Sequence, residues 1–164
     1  TKVLVIYPSS TSTTVTELIN DNFNNNTKPD WCDSGGGTTN FENGTLSFTA
    51  TNTGSHDYDN QICFTGLSIV NGATYKLTFK IRSSVSDSEG LDIAFDDPSD
   101  NYIWCGAFLD NSSKLKLNAS GNFTEVTLTT TATKDVANGR LFINLGHLGT
   151  CTIEIDDLKL VRTN

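Results

Sequence analysis

The sequence predicts an all-β protein, a jelly-roll β-sandwich of two antiparallel sheets with an extra N-terminal strand. Three observations carry this. From residue 75 to 82, Tyr75, Leu77, Phe79 and Ile81 alternate strictly with Lys76, Thr78, Lys80 and Arg82, a period of two that puts the apolar set on one face of a strand. Short runs of the same kind recur along the chain with turn residues between them, which is the spacing of a sandwich. Met is absent while Thr, Ser, Asn and Gly crowd the gaps between apolar runs, the composition of a β domain with many loops. At 164 residues the chain can fill one core well.

The elements follow in order. Val3 to Tyr7 is a continuous apolar run, followed by Pro8 and the Ser/Thr-rich stretch Ser9 to Thr14, which reads as a linker. Residues 1–16 are therefore read as a strand and linker, and 17–164 as the sandwich. The sandwich opens near Glu17 with LINDNF, passes a Gly-rich loop at Gly35 to Gly37, and continues in a strand where Leu46, Phe48 and Ala50 alternate with polar residues. Two strand-like runs then flank Asn71-Gly72, a turn signal. Leu91, Ile93 and Phe95 alternate with Asp92, Ala94 and Asp96, and a polar, aromatic-dotted loop is expected from Asp97 to Phe108. The later strands are Thr124 to Thr131, Arg140 to Leu145 and Thr152 to Val161. No helix is expected.

The last strand has a break in phase. Ile153 and Ile155 sit on odd positions, Leu158 and Leu160 on even ones, so the inward phase slips by one across Asp156-Asp157. A slip of one residue is the footprint of a β-bulge. It re-aims two carboxylates, and Asn20, Asp21, Asn22 and Asn24 supply further oxygens near the other end of the domain. Oxygen donors from distant segments suit Ca²⁺, which takes six to eight of them in loose geometry. Solvated acids on an edge strand are the equal alternative.

Charge and cysteines narrow the function. The net charge of −8 argues against nucleic acid and anionic membrane surfaces as partners, and no run approaches a membrane span. Cys32, Cys63, Cys105 and Cys151 form no CxxC pair and no zinc spacing with His56 or His147. Two disulfides in an extracellular protein are expected, with three possible connectivities, and buried thiols are the alternative. Asn25, Asn43, Asn111, Asn118 and Asn122 each open an N-x-S/T triplet, which leans the same way.

Catalysis is not expected. A glycosidase needs two carboxyls facing each other across a cleft, whereas adjacent strand residues such as Asp96-Asp97 point to opposite faces. No G-x-S-x-G elbow is present, and His147, between Gly146 and Leu148, reads as a rim contact.

LINDNF, Trp31 after it, YDNQI…GLSIVNGATYKLTFKIRSS, RLFINLG and IEIDDLKL stand in an order and spacing that resemble the family 4/9 carbohydrate-binding modules, over roughly Glu17 to Val161. The resemblance implies a jelly roll with a groove on one sheet and no catalysis. It also implies a structural Ca²⁺, carried onto Asn22 or Asn24, a loop carbonyl near Asn43, and Asp156, with Asn replacing the usual acid of the first segment. The groove aromatic of the family matches Tyr102, and the polar residues of its late strand match Arg140 and Asn144. Trp104 and Trp31 are the further candidate aromatics. Asp33, Thr65 and Asp92 depart from residues seen in some members. Aromatic faces stack on pyranose rings, and planar amide and guanidinium groups bond sugar hydroxyls in pairs. Alternation agrees, since Arg140, Phe142 and Asn144 share one face and Leu141, Ile143 and Leu145 the other. Two function classes stay open. One is an extracellular module binding a β-linked polysaccharide such as β-glucan or xylan. The other is a structural subunit that donates residues 3–7 to another copy of the chain and so builds a filament.

Overall fold

The computed structural model describes residues 14–29, 32–110 and 112–163, without the side chains of residues 32–35. Among these residues thirteen strands follow in order: β1 (Val15–Asp21), β2 (Cys32–Gly35), β3 (Thr38–Glu42), β4 (Thr45–Ala50), β5 (Gln61–Ile69), β6 (Thr74–Ser83), β7 (Asp87–Leu91), β8 (Ile93–Asp97), β9 (Ile103–Ala107), β10 (Leu115–Leu117), β11 (Thr124–Thr131), β12 (Val136–Asn144) and β13 (Cys151–Thr163). The only helical pieces among the described residues are two single 3₁₀ turns, Asp57–Asp59 and Gly146–Leu148. One sheet runs β11-β6-β13-β4-β3 with β1 also on β13, the other β2-β5-β12-β8-β9, and β10 with β7 makes a small ribbon. The expected sandwich is the fold.

Alternation decides which face is buried. Tyr75, Leu77, Phe79 and Ile81 of β6 are buried, as are Leu46, Phe48 and Ala50 of β4 and Leu141 and Ile143 of β12. Burying each large side chain contributes roughly 1.5–3 kcal/mol, so a one-residue slip in any of these strands would be costly. The one phenol in this core is satisfied, because the Val70 N–H donates to Tyr75 Oη at 2.8 Å. The turn at Asn71-Gly72 does not close a hairpin: β5 and β6 enter opposite sheets. It is an arch over the edge of the core, with Gly72 at φ 76° and its N–H on the Ala132 carbonyl at 2.8 Å.

The expected bulge is present. The register of β13 against β6 shifts between Asp156 and Lys159, and Asp157 adopts φ 49°. Ile153, Ile155, Leu158 and Leu160 are all fully buried as a result. The slip falls where β13 leaves β4, last paired at Ile155, and takes up β1, paired from Leu158. Asp157 is turned outward onto Lys80 at 2.6 Å.

Two expectations are corrected. The segment from Asp97 to Phe108 is not all loop, because β9 pairs with β8 inside it. As an edge strand it leaves Ile103 and Trp104 exposed, and so lacks the alternation that marks the other strands. Among the described side chains the expected disulfides are not formed: Cys105 and Cys151 are buried thiols, and Cys63 is buried as well. The physical reason is placement. Cys105 and Cys151 are packed in the main core as small apolar fillers, whereas Cys63 belongs to a separate cluster with Ala94 and Phe142. Burial pushes the Cys105 thiol up to about 11, with Asp96 and Asp97 adding to it, and burial also raises Cys151. Only the thiolate is nucleophilic. Iodoacetamide at pH 8 is therefore expected to label neither Cys105 nor Cys151 in the native protein and both in urea. Rapid native labelling read by mass spectrometry would contradict this packing.

The N-terminal run Val3 to Tyr7 and the linker as far as Thr13 lie outside the described residues, as does Trp31, whereas Val15 and Thr16 already belong to β1. Among the described residues, no helix is long and apolar enough to cross a membrane.

Candidate functional site

A groove of about 600 Å³ lies on the outer face of the five-stranded sheet, lined by Tyr58, Gln61, Asp96, Asn101, Tyr102, Trp104, Arg140, Phe142 and Asn144. Its floor is β12. The strand register sets Arg140 opposite Asp96 of β8, and Phe142 and Asn144 opposite Cys63 and Gln61 of β5. Period-two geometry then presents all these side chains on the face away from the core. The structure thus brings together four of the five residues expected to bind, Tyr102, Trp104, Arg140 and Asn144.

Each polar group in the floor is held. Arg140 makes a fork on Asp96, Nε donating to Oδ1 at 2.9 Å and Nη2 to Oδ2 at 2.6 Å, while Nη1 reaches Cys63 Sγ at 3.6 Å. Asp96 is only 2 % exposed, and the hydrogen bonds that Arg140 donates to it hold the guanidinium above its usual range. Gln61 Nε2 donates to Asn144 Oδ1 at 2.7 Å. These interactions fix two planar groups at rest, so a ligand meets amides whose orientation is already set.

Aromatic rings form the walls. Trp104 packs on Phe142 with centroids 5.3 Å apart, and Tyr102 stands over the Arg140 guanidinium at 4.6 Å. On the other side Tyr58 stacks nearly parallel on His56 at 4.7 Å. Tyr102, Trp104 and Tyr58 are 55 %, 47 % and 57 % exposed, so each offers apolar surface to a ligand.

The loops behind these walls are pinned. Before Tyr102, Asp97 accepts from Lys134 Nζ at 2.6 Å and from Ser99 Oγ at 2.6 Å. The Lys134 bond first and the Ser99 bond next hold its carboxyl below the usual range. The turn carrying Tyr58 is closed by Asp59 Oδ2, which accepts the Ser55 and His56 N–H groups at 2.7 and 3.0 Å. Gly146 lets it sit close, since a Cβ there would stand 2.0 Å from the His56 carbonyl oxygen. His147 is not the expected rim contact. It is packed between Asp57 at 3.4 Å and Asp87 at 3.1 Å and ties the turn to β7.

Tyr58, Gln61, Asp96, Asn101 and Phe142 complete the groove and were not among the expected binding residues. The phase of β12 already placed Phe142 beside Arg140 and Asn144. No local signal places Gln61 or Asp96 there, because both join through cross-strand register. Asp92, one of the departures from the family pattern, is on Lys114 at 3.0 Å and outside the groove.

The expected metal residues are partly gathered. Asn22 Oδ1 accepts the Asn24 N–H at 3.2 Å, and Asn24 meets the β3–β4 turn, where a Cβ on Gly44 would stand 2.3 Å from its Oδ1. Asn26 Oδ1 accepts the Gly44 N–H at 3.1 Å, and Asn43 and Gly44 are both left-handed in that turn, φ 53° and 70°. Asp156 lies at the bulge, its Oδ1 accepting the Asp157 N–H at 2.7 Å. Among the described residues no three His, Cys, Asp or Glu side chains cluster as metal ligands. The donor set is therefore amide and carbonyl oxygen with one carboxylate. These are hard donors of the calcium kind, short of charge.

Comparison with known proteins gives three findings. A sequence family described as a carbohydrate binding domain, of families 4 and 9, matches residues 16–152. Among solved structures, one described as "CBM4 structure and function" is 21 % identical, covers 80 % of this chain and 94 % of its own, and superposes with a TM-score of 0.64. The N-terminal cellulose-binding domain of Cellulomonas fimi β-1,4-glucanase C is 19 % identical, with 82 % and 90 % covered and a TM-score of 0.61. A family 29 carbohydrate-binding module in complex with mannohexaose is 14 % identical, with 92 % of each chain covered and a TM-score of 0.60. At these identities the likeness to the solved structures is one of fold. No curated protein matches the sequence.

Proposed function

Because this chain belongs to the carbohydrate binding domain family of non-catalytic modules, we propose that its groove binds a β-linked polysaccharide of the glucan or xylan class. One observation carries this reading: three exposed rings, Tyr58, Tyr102 and Trp104, flank a polar floor in one open groove. Rings of this kind stack on the apolar faces of pyranoses, and the Gln61–Asn144 amide pair offers donors and acceptors to the hydroxyls between them. Asp96 is neutralised by Arg140, which suits an uncharged chain. The module acts by holding its ligand, outside the cell, where such polysaccharides occur. The alternative of a strand-donating filament subunit depends on residues 3–7, outside the described residues, and neither the fold nor the comparisons favour it.

Affinity electrophoresis against barley β-glucan, hydroxyethylcellulose, xylan and glucomannan tests the proposal. Retardation by at least one of them is expected, and none by a polyuronate. Unchanged mobility in every gel would refute it for these ligands.

We further propose that Asn22, Asn24, the Asn43 carbonyl and Asp156 hold a structural Ca²⁺. Affinity follows ligand charge and rigidity, so one carboxylate places the site at the weak end, roughly 10⁻⁴–10⁻³ M. Ten millimolar calcium is expected to raise the melting temperature above that in chelator, by mass action, and Asp156→Ala to abolish the difference. Equal melting of the wild type in both buffers would leave no calcium site.

A further inference from the structure

We propose that Arg140 is a positioning residue: it sets the Tyr102 ring as a wall of the groove and does not itself hold the ligand. The inference rests on the carbohydrate reading of the groove but can be tested apart from it.

Two observations carry it. Tyr102 stands in the left-handed region, φ 57°, directly after Asn101 at φ 50°. For a residue with a bulky side chain this is an outlier, kept only where neighbours impose it. The neighbours are the Asp97 carbonyl, which accepts the Tyr102 N–H at 3.0 Å, and the guanidinium 4.6 Å from the ring centroid.

The guanidinium plane is fixed from below, independently of Tyr102. Three of its five N–H donors point inward, two to Asp96 and one to Cys63 Sγ. Turning the fork to a sugar would strip a carboxylate that is 2 % exposed of its counter-charge, which is expensive in a buried site. Arg140 is therefore a shelf whose flat upper face meets the ring. Lysine has no such face.

The test uses Arg140→Lys, which keeps a positive charge beside Asp96 where alanine would endanger folding. Cellohexaose and mannohexaose are titrated calorimetrically into the wild type, Arg140→Lys, Tyr102→Ala and the double variant. Arg140→Lys is expected to weaken binding roughly three- to thirty-fold, and the double variant to bind no more weakly than Tyr102→Ala alone. Losses that multiply would overturn the inference, since Arg140 would then act on the ligand itself. A ligand-free measurement separates the two readings. In ¹⁵N NMR spectra the Arg140 Nε–H should resonate upfield under the Tyr102 ring and move downfield in Tyr102→Ala. If that resonance does not move, the ring is not on the guanidinium and the inference fails. If the wild type binds neither hexaose while the resonance moves, the positioning contact stands and the glycan assignment for those ligands falls.

Discussion

Replacing Arg140 with alanine is expected to destabilise the domain by about 3 kcal/mol, the cost of leaving a buried carboxylate without its counter-charge. Asp96 and Arg140 are directly opposed across β8 and β12, their side chains 3 % and 18 % exposed. Little solvent is therefore present to screen the charge that remains. The net value of the intact pair is a separate matter, because desolvation offsets most of its attraction. The double variant Asp96→Leu/Arg140→Met, which removes both charges and keeps bulk, should consequently recover most of the loss. Urea denaturation of the wild type and the two variants decides. If Arg140→Ala unfolds within about 1 kcal/mol of the wild type, below the range for broken buried pairs, then Asp96 is reached by water and the groove floor is softer than described.

Replacing Tyr102 with alanine is expected to leave stability nearly unchanged while weakening polysaccharide binding by about 1–3 kcal/mol, the worth of one stacked and buried ring face. The ring is more than half exposed, so the folded protein loses little packing with it. Its backbone sits at positive φ, where alanine is no more strained than tyrosine. An affinity loss without a shift in melting temperature would place Tyr102 at the ligand. Equal binding by wild type and variant to a polysaccharide that retards the wild type would move the site elsewhere on the sheet. Loss of stability and affinity together would show instead that the ring supports the loop after Asp97.

Much of the fold was legible in the sequence because its signals are local. Strict alternation in β6, β4 and β12 names the buried face without reference to a partner strand. The phase slip between Ile155 and Leu158 announces the bulge, since two inward sets on one strand can be reconciled only by an extra residue. The same local phase put Arg140, Phe142 and Asn144 on one face, and the order of five segments pointed to the family. β9 was hidden because an edge strand exposed on its outer side needs no alternation.

The groove was decided by tertiary structure. That Arg140 meets Asp96, Gln61 meets Asn144, and Tyr58 lines the same groove as Trp104 follows from the register of β5, β12 and β8 and from the placing of a 3₁₀ turn by Gly146. These partners lie 44 and 83 positions apart for the two hydrogen-bonded pairs, and no periodicity reaches that far. The cysteines give the same lesson in reverse. Their number is even, which invites pairing, yet Cys63 faces the groove while Cys105 and Cys151 fill the core. A strand's alternation states that a side chain points in or out; only the packing of one sheet against another determines what it meets there.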